Sequence, residues 1–227
     1  IGEVISTDPA LTAQMLRLVN SALFGIPRQV TSVTEAVGLL GIGRVRALVL
    51  SIKLFSSFTC TGHAFSVDQM WRHSLKVGWT ARWIAELEGA AEAIREEALS
   101  AGLLHDIGKL VFAANFTAEY QKLFERAAAT GRDLVGLESE AFGAAHAEVG
   151  ACLLGIWGLP ASLIEAVVSH HHLAHGDGGG INSAVAVYAA NCLVHERAET
   201  KPPGTAWQID MALMAKLGLA GRVDEWR

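Results

Sequence analysis

Apolar residues in this chain recur three and four positions apart, and almost nowhere alternate. Leu11, Met15, Leu18 and Val19 set that spacing for a first helix. Asp8 is placed to cap it, and Pro9 suits its first turn. The stretch Asn20-Ser21-Ala22-Leu23-Phe24-Gly25 ends it, and Pro27 reinforces the break. Ser32-Val33-Thr34-Glu35 has the form of a capping box, with Glu35 expected to reach back to the cap, and starts a short helix that runs to Leu40 with Gly41 at its end. From Val45 to Phe55 the chain is apolar with Arg44, Arg46 and Lys53 interspersed, and no turn chemistry divides it, so it reads as a helix despite its β-branched residues. Cys60-Thr61-Gly62 to Ser66 reads as a linker between an N-terminal helical lobe, 1–60, and a second lobe, 66–227. There Asp68 is expected to cap a long helix through His73, Trp79 and Trp83 to about Glu88. Further helices are predicted over 91–104, 117–130, 133–142 and 146–157. Pro160 opens one that ends at His170-His171, another spans 182–196, and a short one follows the break at Lys201-Pro202-Pro203-Gly204. No strand pattern and no repeat period emerge, so the expected fold is all-α.

Composition adds bounds to that picture. The 227 residues are 51% hydrophobic with a mean hydropathy of +0.32, enough for a sizeable core in one large domain or two lobes. A net charge of -5 and a pI near 6.0 argue against a general nucleic-acid binder, which shows a basic face. Arg28, Arg44, Arg46 and Lys53 gather positive charge in the first lobe, either to steer a partner or as a solvated face. Cys60, Cys152 and Cys192 are odd in number, far apart and without a CxxC pair, which suits reduced thiols in a cytoplasmic protein. No apolar run reaches the ~18 residues of a membrane span, and no signal peptide is visible. The chain opens at Ile1 without a start Met, so it is expected to be a piece of a longer polypeptide.

The candidate chemistry centres on Gly102-Leu103-Leu104-His105-Asp106-Ile107-Gly108-Lys109-Leu110. An apolar run delivers an imidazole and a carboxylate side by side, one nitrogen and one oxygen ligand for a divalent metal. His73, His146 and His170-His171 are candidate companions. Other chemistries find no support. Gly178-Gly179-Gly180 lacks a preceding strand and a P-loop lysine, and Ser21, Ser74 and Ser169 sit in no Gly-x-Ser-x-Gly elbow. His63, His172, His175 and His195 read as surface or loop residues, and Trp71, Trp79, Trp83 and Trp157 as core.

Several ordered motifs together resemble one family. Asp8-Pro9-Ala10-Leu11-Thr12 with residues 20–25, Trp71-Arg72-His73-Ser74, residues 102–109, His146 and Trp157-Gly158-Leu159-Pro160 are similar to the HD-related output domain, HDOD, from Ile1 to about Val194. The resemblance implies an HD-like helical bundle with an N-terminal helical lobe. It also implies a regulatory role in bacterial signalling, beside receiver or output domains or with signalling proteins as partners. HDOD is a relative of HD metal phosphohydrolases and HD-GYP phosphodiesterases. Carried over by position, His73, His105 and Asp106 correspond to the first three metal ligands of the HD pattern. The fourth, an aspartate, falls on Asn191, where only a neutral carbonyl is available. His146, His170 and His171 correspond to the extra histidines of a two-metal site. Gln69 is neutral where some relatives have glutamate, and residues 172–176 lack the GYP signature. Lys109 would contact a phosphate in an active relative. The implied cofactor is a divalent metal (Fe, Mn, Ni or Mg), weakly held or absent. Three functional readings stay open at this point: a regulatory module with a degenerate site, a phosphohydrolase of nucleotides or cyclic dinucleotides, and a sensor that binds a phosphorylated messenger without cutting it.

Overall fold

The Asp8 carboxylate accepts a hydrogen bond from the Leu11 amide at 3.0 Å, and helix α1 (Pro9–Val19) follows with Leu11, Met15 and Val19 buried on one stripe. The protein, seen here as a computed structural model, is described over residues 8–21, 24–57, 65–173, 179–198 and 208–227. Two compact units divide at Phe58/Thr59. In the first, α1 packs on α2 (Val33–Leu40) and α3 (Ile42–Ser57). Asn20 braces the turn after α1: its amide donates to the Val30 carbonyl at 2.8 Å and its carbonyl accepts from the Val30 N–H at 2.7 Å. Ser32 caps α2 as its sequence predicts, accepting from the Glu35 N–H at 3.1 Å. Glu35 reaches one residue beyond the expected cap and accepts from the Thr31 N–H at 3.0 Å, while pairing with Arg28 at 3.0 Å. Lys53 pairs with Asp8. Arg28 and Lys53 are therefore each paired with an acid within the unit, while Arg44 is half-buried and Arg46 exposed.

The second unit is built on α4 (Val67–Leu87) and α5 (Glu92–Leu104), its most extensive helix pair. Then come α6 (Ile107–Asn115), α7 (Thr117–Thr130), α8 (Leu134–Phe142), α9 (His146–Ile156), α10 (Ala161–Val168) and α11 (Ser183–Glu196). A short α12 (Met211–Lys216), a 3₁₀ turn (Ala220–Arg222) and α13 (Val223–Trp226) close the chain. Helix α11 is buried from Ser183 to Leu193 and packs on α4, α5 and α10, as a helix apolar on all sides must. Behind α4, Glu88 accepts from Arg222 at 2.9 Å and from the Trp226 indole at 2.9 Å, which holds the C-terminal turn in place.

No strand occurs among the described residues, and none of the described helices is long and apolar enough to cross a membrane. Several local expectations need correction. Ser66, not Asp68, caps α4, accepting from the Gln69 N–H at 3.2 Å. Helix α6 was absent from the sequence prediction. Trp83 and Trp157 are exposed rather than core, whereas Trp226 is fully buried. Cys192 is a buried free thiol whose pKa burial pushes up to about 12, and Cys152 is exposed and free. Cys60 and most of the proposed linker, His63, His175, the loop start at Gly176 and Lys201-Pro202-Pro203-Gly204 lie outside the described residues.

Candidate metal centre

Two glycine contacts set the positions of the site's helices. A Cβ on Gly102 would lie 2.6 Å from the Gly78 Cα, so α4 and α5 touch backbone to backbone there. His73 lies five residues before that contact and His105 three residues after it, so the crossing brings the two imidazoles together, ring centroids 5.2 Å apart. A Cβ on Gly108 would lie 2.0 Å from the His146 carbonyl oxygen, so the first turn of α6 rests directly on the start of α9. Only two residues, His105 and Asp106, separate α5 from α6, and both are buried where these helices meet. Asp106 sits at the N-cap of α6 but makes no capping bond with its side chain.

Around Asp106 the ligand-type groups fall into two sets, His73–His105–Asp106 and His146–His170–His171, with the candidate ligand atoms of each set within 4.8 Å of one another. On one side of the carboxylate, Oδ2 lies 3.4 Å from His105 Nε2 and 4.0 Å from His73 Nε2, and accepts from Lys109 Nζ at 2.8 Å. His73 Nε2 is also 3.0 Å from Asn191 Oδ1. On the other side, Oδ1 lies 3.3 Å from His146 Nε2 and 3.6 Å from His170 Nε2, neither aligned as a hydrogen bond. His146 Nε2 is 3.3 Å from His170 Nε2 and 2.8 Å from His171 Nε2. Both Asp106 Oδ1 and His105 Nε2 are buried without a hydrogen-bond partner. Orphaned polar atoms of this kind cost stability unless something else satisfies them. A nitrogen-rich set with one shared carboxylate fits a divalent transition ion.

Outer partners orient the rings. His105 Nδ1 donates to the Gly102 carbonyl at 2.7 Å and His170 Nδ1 to the Val167 carbonyl at 2.6 Å. His146 Nδ1 faces Glu138 Oε2 at 2.6 Å, Glu138 also accepts from the His146 N–H at 2.8 Å, and Tyr120 donates to its other oxygen at 2.6 Å. Burial, reinforced by neighbouring imidazoles, holds His73, His170 and His171 well below the usual histidine pKa. Burial also works against the Asp106 carboxylate, but attraction to His105 and Lys109 outweighs it and keeps the group well below the usual carboxylate range. For His146, burial is outweighed by Glu138, and its pKa is raised. His73, His170 and His171 thus stand as neutral imidazoles beside an ionised Asp106 carboxylate at neutral pH.

The structure brings together all seven residues singled out from the sequence: His73, His105, Asp106, His146, His170, His171 and Asn191. Lys109 is an ion-pair partner of Asp106 with a side chain only 15% exposed. Gln69 is exposed and His172 is exposed. His195, expected at the surface, is buried with its ring 4.4 Å from that of His73, and burial pushes its pKa down to about 3. Its spacing of one helical turn from Asn191 is the signal that placed it on the same face. Glu138 and Tyr120 were missed altogether.

The sequence profile of the HDOD domain matches residues 1–173, and the chain belongs to that family. The match contains every candidate ligand except Asn191, which follows on α11. The chain is 31% identical over 172 residues to an uncharacterized protein of Treponema pallidum (strain Nichols), covering 76% of this chain and 33% of that protein, so it spans about a third of the relative's length. Among solved structures, an HDOD domain protein of unknown function from Geobacter sulfurreducens superposes with a TM-score of 0.80 at 23% identity, over 98% of this chain and 75% of that one, and shares its fold. The MmoQ response regulator of Methylococcus capsulatus superposes with a TM-score of 0.55 at 28% identity, over 97% of this chain and 83% of that one.

Proposed function

We propose that this chain is a regulatory module of bacterial signal transduction. In this reading it works in the cytoplasm through contacts with signalling proteins, or with receiver and output domains of a longer chain, and its HD-type site does not turn over phosphoesters. One observation carries the reading: His73 Nε2, a ligand nitrogen of the HD pattern, is engaged at 3.0 Å by the neutral Asn191 amide where that pattern has a carboxylate. Losing an anionic ligand weakens a divalent site and raises the pKa of any water the ion would activate. The likeness to a response regulator supports the signalling context.

The orphaned His105 Nε2 and Asp106 Oδ1 favour a second reading, a metal-dependent phosphohydrolase of nucleotides or cyclic dinucleotides. His73, His105, Asp106 and the three later histidines would hold the metal, which would supply Lewis-acid polarisation when bound. Lys109, paired with Asp106, would meet the phosphate. One experiment separates the two: the purified protein is incubated with Mn, Fe(II), Ni or Mg and a panel of phosphomonoesters, phosphodiesters and cyclic dinucleotides. The expected result is no multiple turnover. Turnover that disappears in both His105→Ala and Asp106→Ala proteins would replace the regulatory reading with the enzymatic one.

A further inference from the structure

Helices α9 and α10 form an antiparallel hairpin. A Cβ on Gly150 would lie 3.6 Å from Val167 Cγ1 and one on Gly155 3.8 Å from Ile164 Cδ1, so the arms run in opposite directions in direct contact. The inner side of α9 carries the buried His146, and His170 and His171 lie just past the end of α10. The outer side is apolar and open. Ile156 is 76%, Trp157 45% and Val168 39% exposed, and Cys152 is an exposed free thiol. Glu148, Cys152 and Ile156 follow one another at one-turn spacing on α9, and Glu165 precedes Val168 by one turn on α10. Each arm thus sets an exposed carboxylate in line with exposed apolar positions. Trp157 sits in a fixed turn: the Leu159 amide donates to the Leu154 carbonyl at 3.1 Å across Gly158, whose φ of +73° closes the helix end. A tryptophan and a large aliphatic side chain presented without mobility are the anchors that carry binding energy in protein interfaces.

Charge decides what can cover this face. Between Arg132 and Arg197 the chain has seven Asp or Glu residues and no Lys or Arg. Nucleic acids and anionic membranes are repelled by such a surface. A second copy meeting the same face would set Glu148 and Glu165 against their own counterparts. A segment with apolar anchors and lysine or arginine around them is complementary on both counts. The hairpin offers no unpaired backbone edge, so that segment packs as a helix and not as an added strand. We infer that the outer face of the α9–α10 hairpin, centred on Ile156 and Trp157, docks a basic amphipathic helix of a partner protein. This rests on the regulatory reading and deepens it by naming the partner's chemistry. A partner seated there grips the same two helices that bring His146, His170 and His171 to the cavity.

The test titrates the 227-residue chain by calorimetry with a synthetic helix that has leucine on one face and lysine and arginine on the other. A twin peptide carries glutamate at every lysine and arginine. The expected result is one basic peptide bound per chain, more weakly as salt rises, and no binding of the twin. The bound peptide should slow the reaction of Cys152 with a maleimide, read by mass spectrometry. Ile156→Asp and Glu165→Lys change exposed side chains, so circular dichroism should show the fold kept, while each lowers affinity at least about tenfold. Leu50→Asp, at an exposed apolar position in the first unit, should bind as the parent does. No binding, equal binding of the twin, an unprotected Cys152, or a Leu50→Asp loss as large as that of Ile156→Asp would overturn the inference. Sedimentation of the chain alone gives a further check: self-association that disappears in Ile156→Asp hands the face to a second copy and overturns the inference as well. The phosphoester assay separates this inference from the reading beneath it. Turnover with peptide binding intact sinks the regulatory reading and leaves the docking face standing, whereas the absence of both turnover and binding removes the docking face alone.

Discussion

At the scale of single residues, the difference between aspartate and asparagine at one buried position governs the cavity. Asn191 is 1% exposed and its carbonyl meets His73. Asn191→Asp keeps the shape and adds a charge. In stripped protein it places a second carboxylate in the cavity with Asp106, which should lower the melting temperature by several degrees through repulsion and burial of charge. With Mn, Fe(II) or Ni present the same protein should melt higher than the parent and bind one additional ion. Equal melting and equal metal uptake in both proteins would mean that residue 191 does not govern the site. Much of this was legible beforehand, because histidines beside an aspartate in an ordered set of motifs are distinctive. Glu138 was not. It stands in Leu137-Glu138-Ser139-Glu140, where two glutamates look alike in sequence and only packing makes one fully buried and leaves the other exposed. His195 had a local signal, one helical turn from Asn191, that a reading of lone histidines as surface residues passed over.

At the scale of elements, the cavity depends on helices that touch without side chains between them. Gly108→Ala drives a methyl to 2.0 Å from the His146 carbonyl, with backbone on both sides, so α6 and α9 must separate. The cost should be at least about 1–3 kcal/mol of stability, with metal affinity falling as well, because His146 and Asp106 ride on the two helices. Gly155→Ala on the same α9 is the contrasting case: its methyl finds Ile164 no nearer than 3.8 Å, so it should stabilise by up to about 1 kcal/mol through helix propensity. Denaturant unfolding of the pair reads both signs, and a neutral Gly108→Ala would refute the crossing. The capped helices were legible because Asp8, Ser32, Asp133 and Asn182 announce their starts. Helix α6 was hidden because its N-cap residue, Asp106, turns its carboxylate to the cavity instead of the backbone. Where function claims the capping side chain, the usual start signal vanishes.

At the scale of the whole molecule, the buried histidines set how stability responds to acid. His73, His170, His171 and His195 have pKa values lowered below the ordinary 6.5, chiefly by burial. As pH falls through about 6.5 the unfolded chain takes up protons that these folded rings refuse, so stability drops. His146 is raised and acts the other way: its contribution is complete below that pH and is lost as pH rises through its folded value. Four rings outweigh one, so stripped protein should melt lower at pH 5.5 than at pH 7.5. A higher melting temperature at pH 5.5 would contradict the burial of these rings as neutral groups. The same dense interior constrains what can change over generations. Helix α11 has no free face from Ser183 to Leu193, so position 191 has room for asparagine, for its isostere aspartate, and for little else. Their codons differ in the first base alone. In genetic terms the neutral and charged versions of this cavity stand one nucleotide apart, and a point mutation crosses between them without rebuilding any helix.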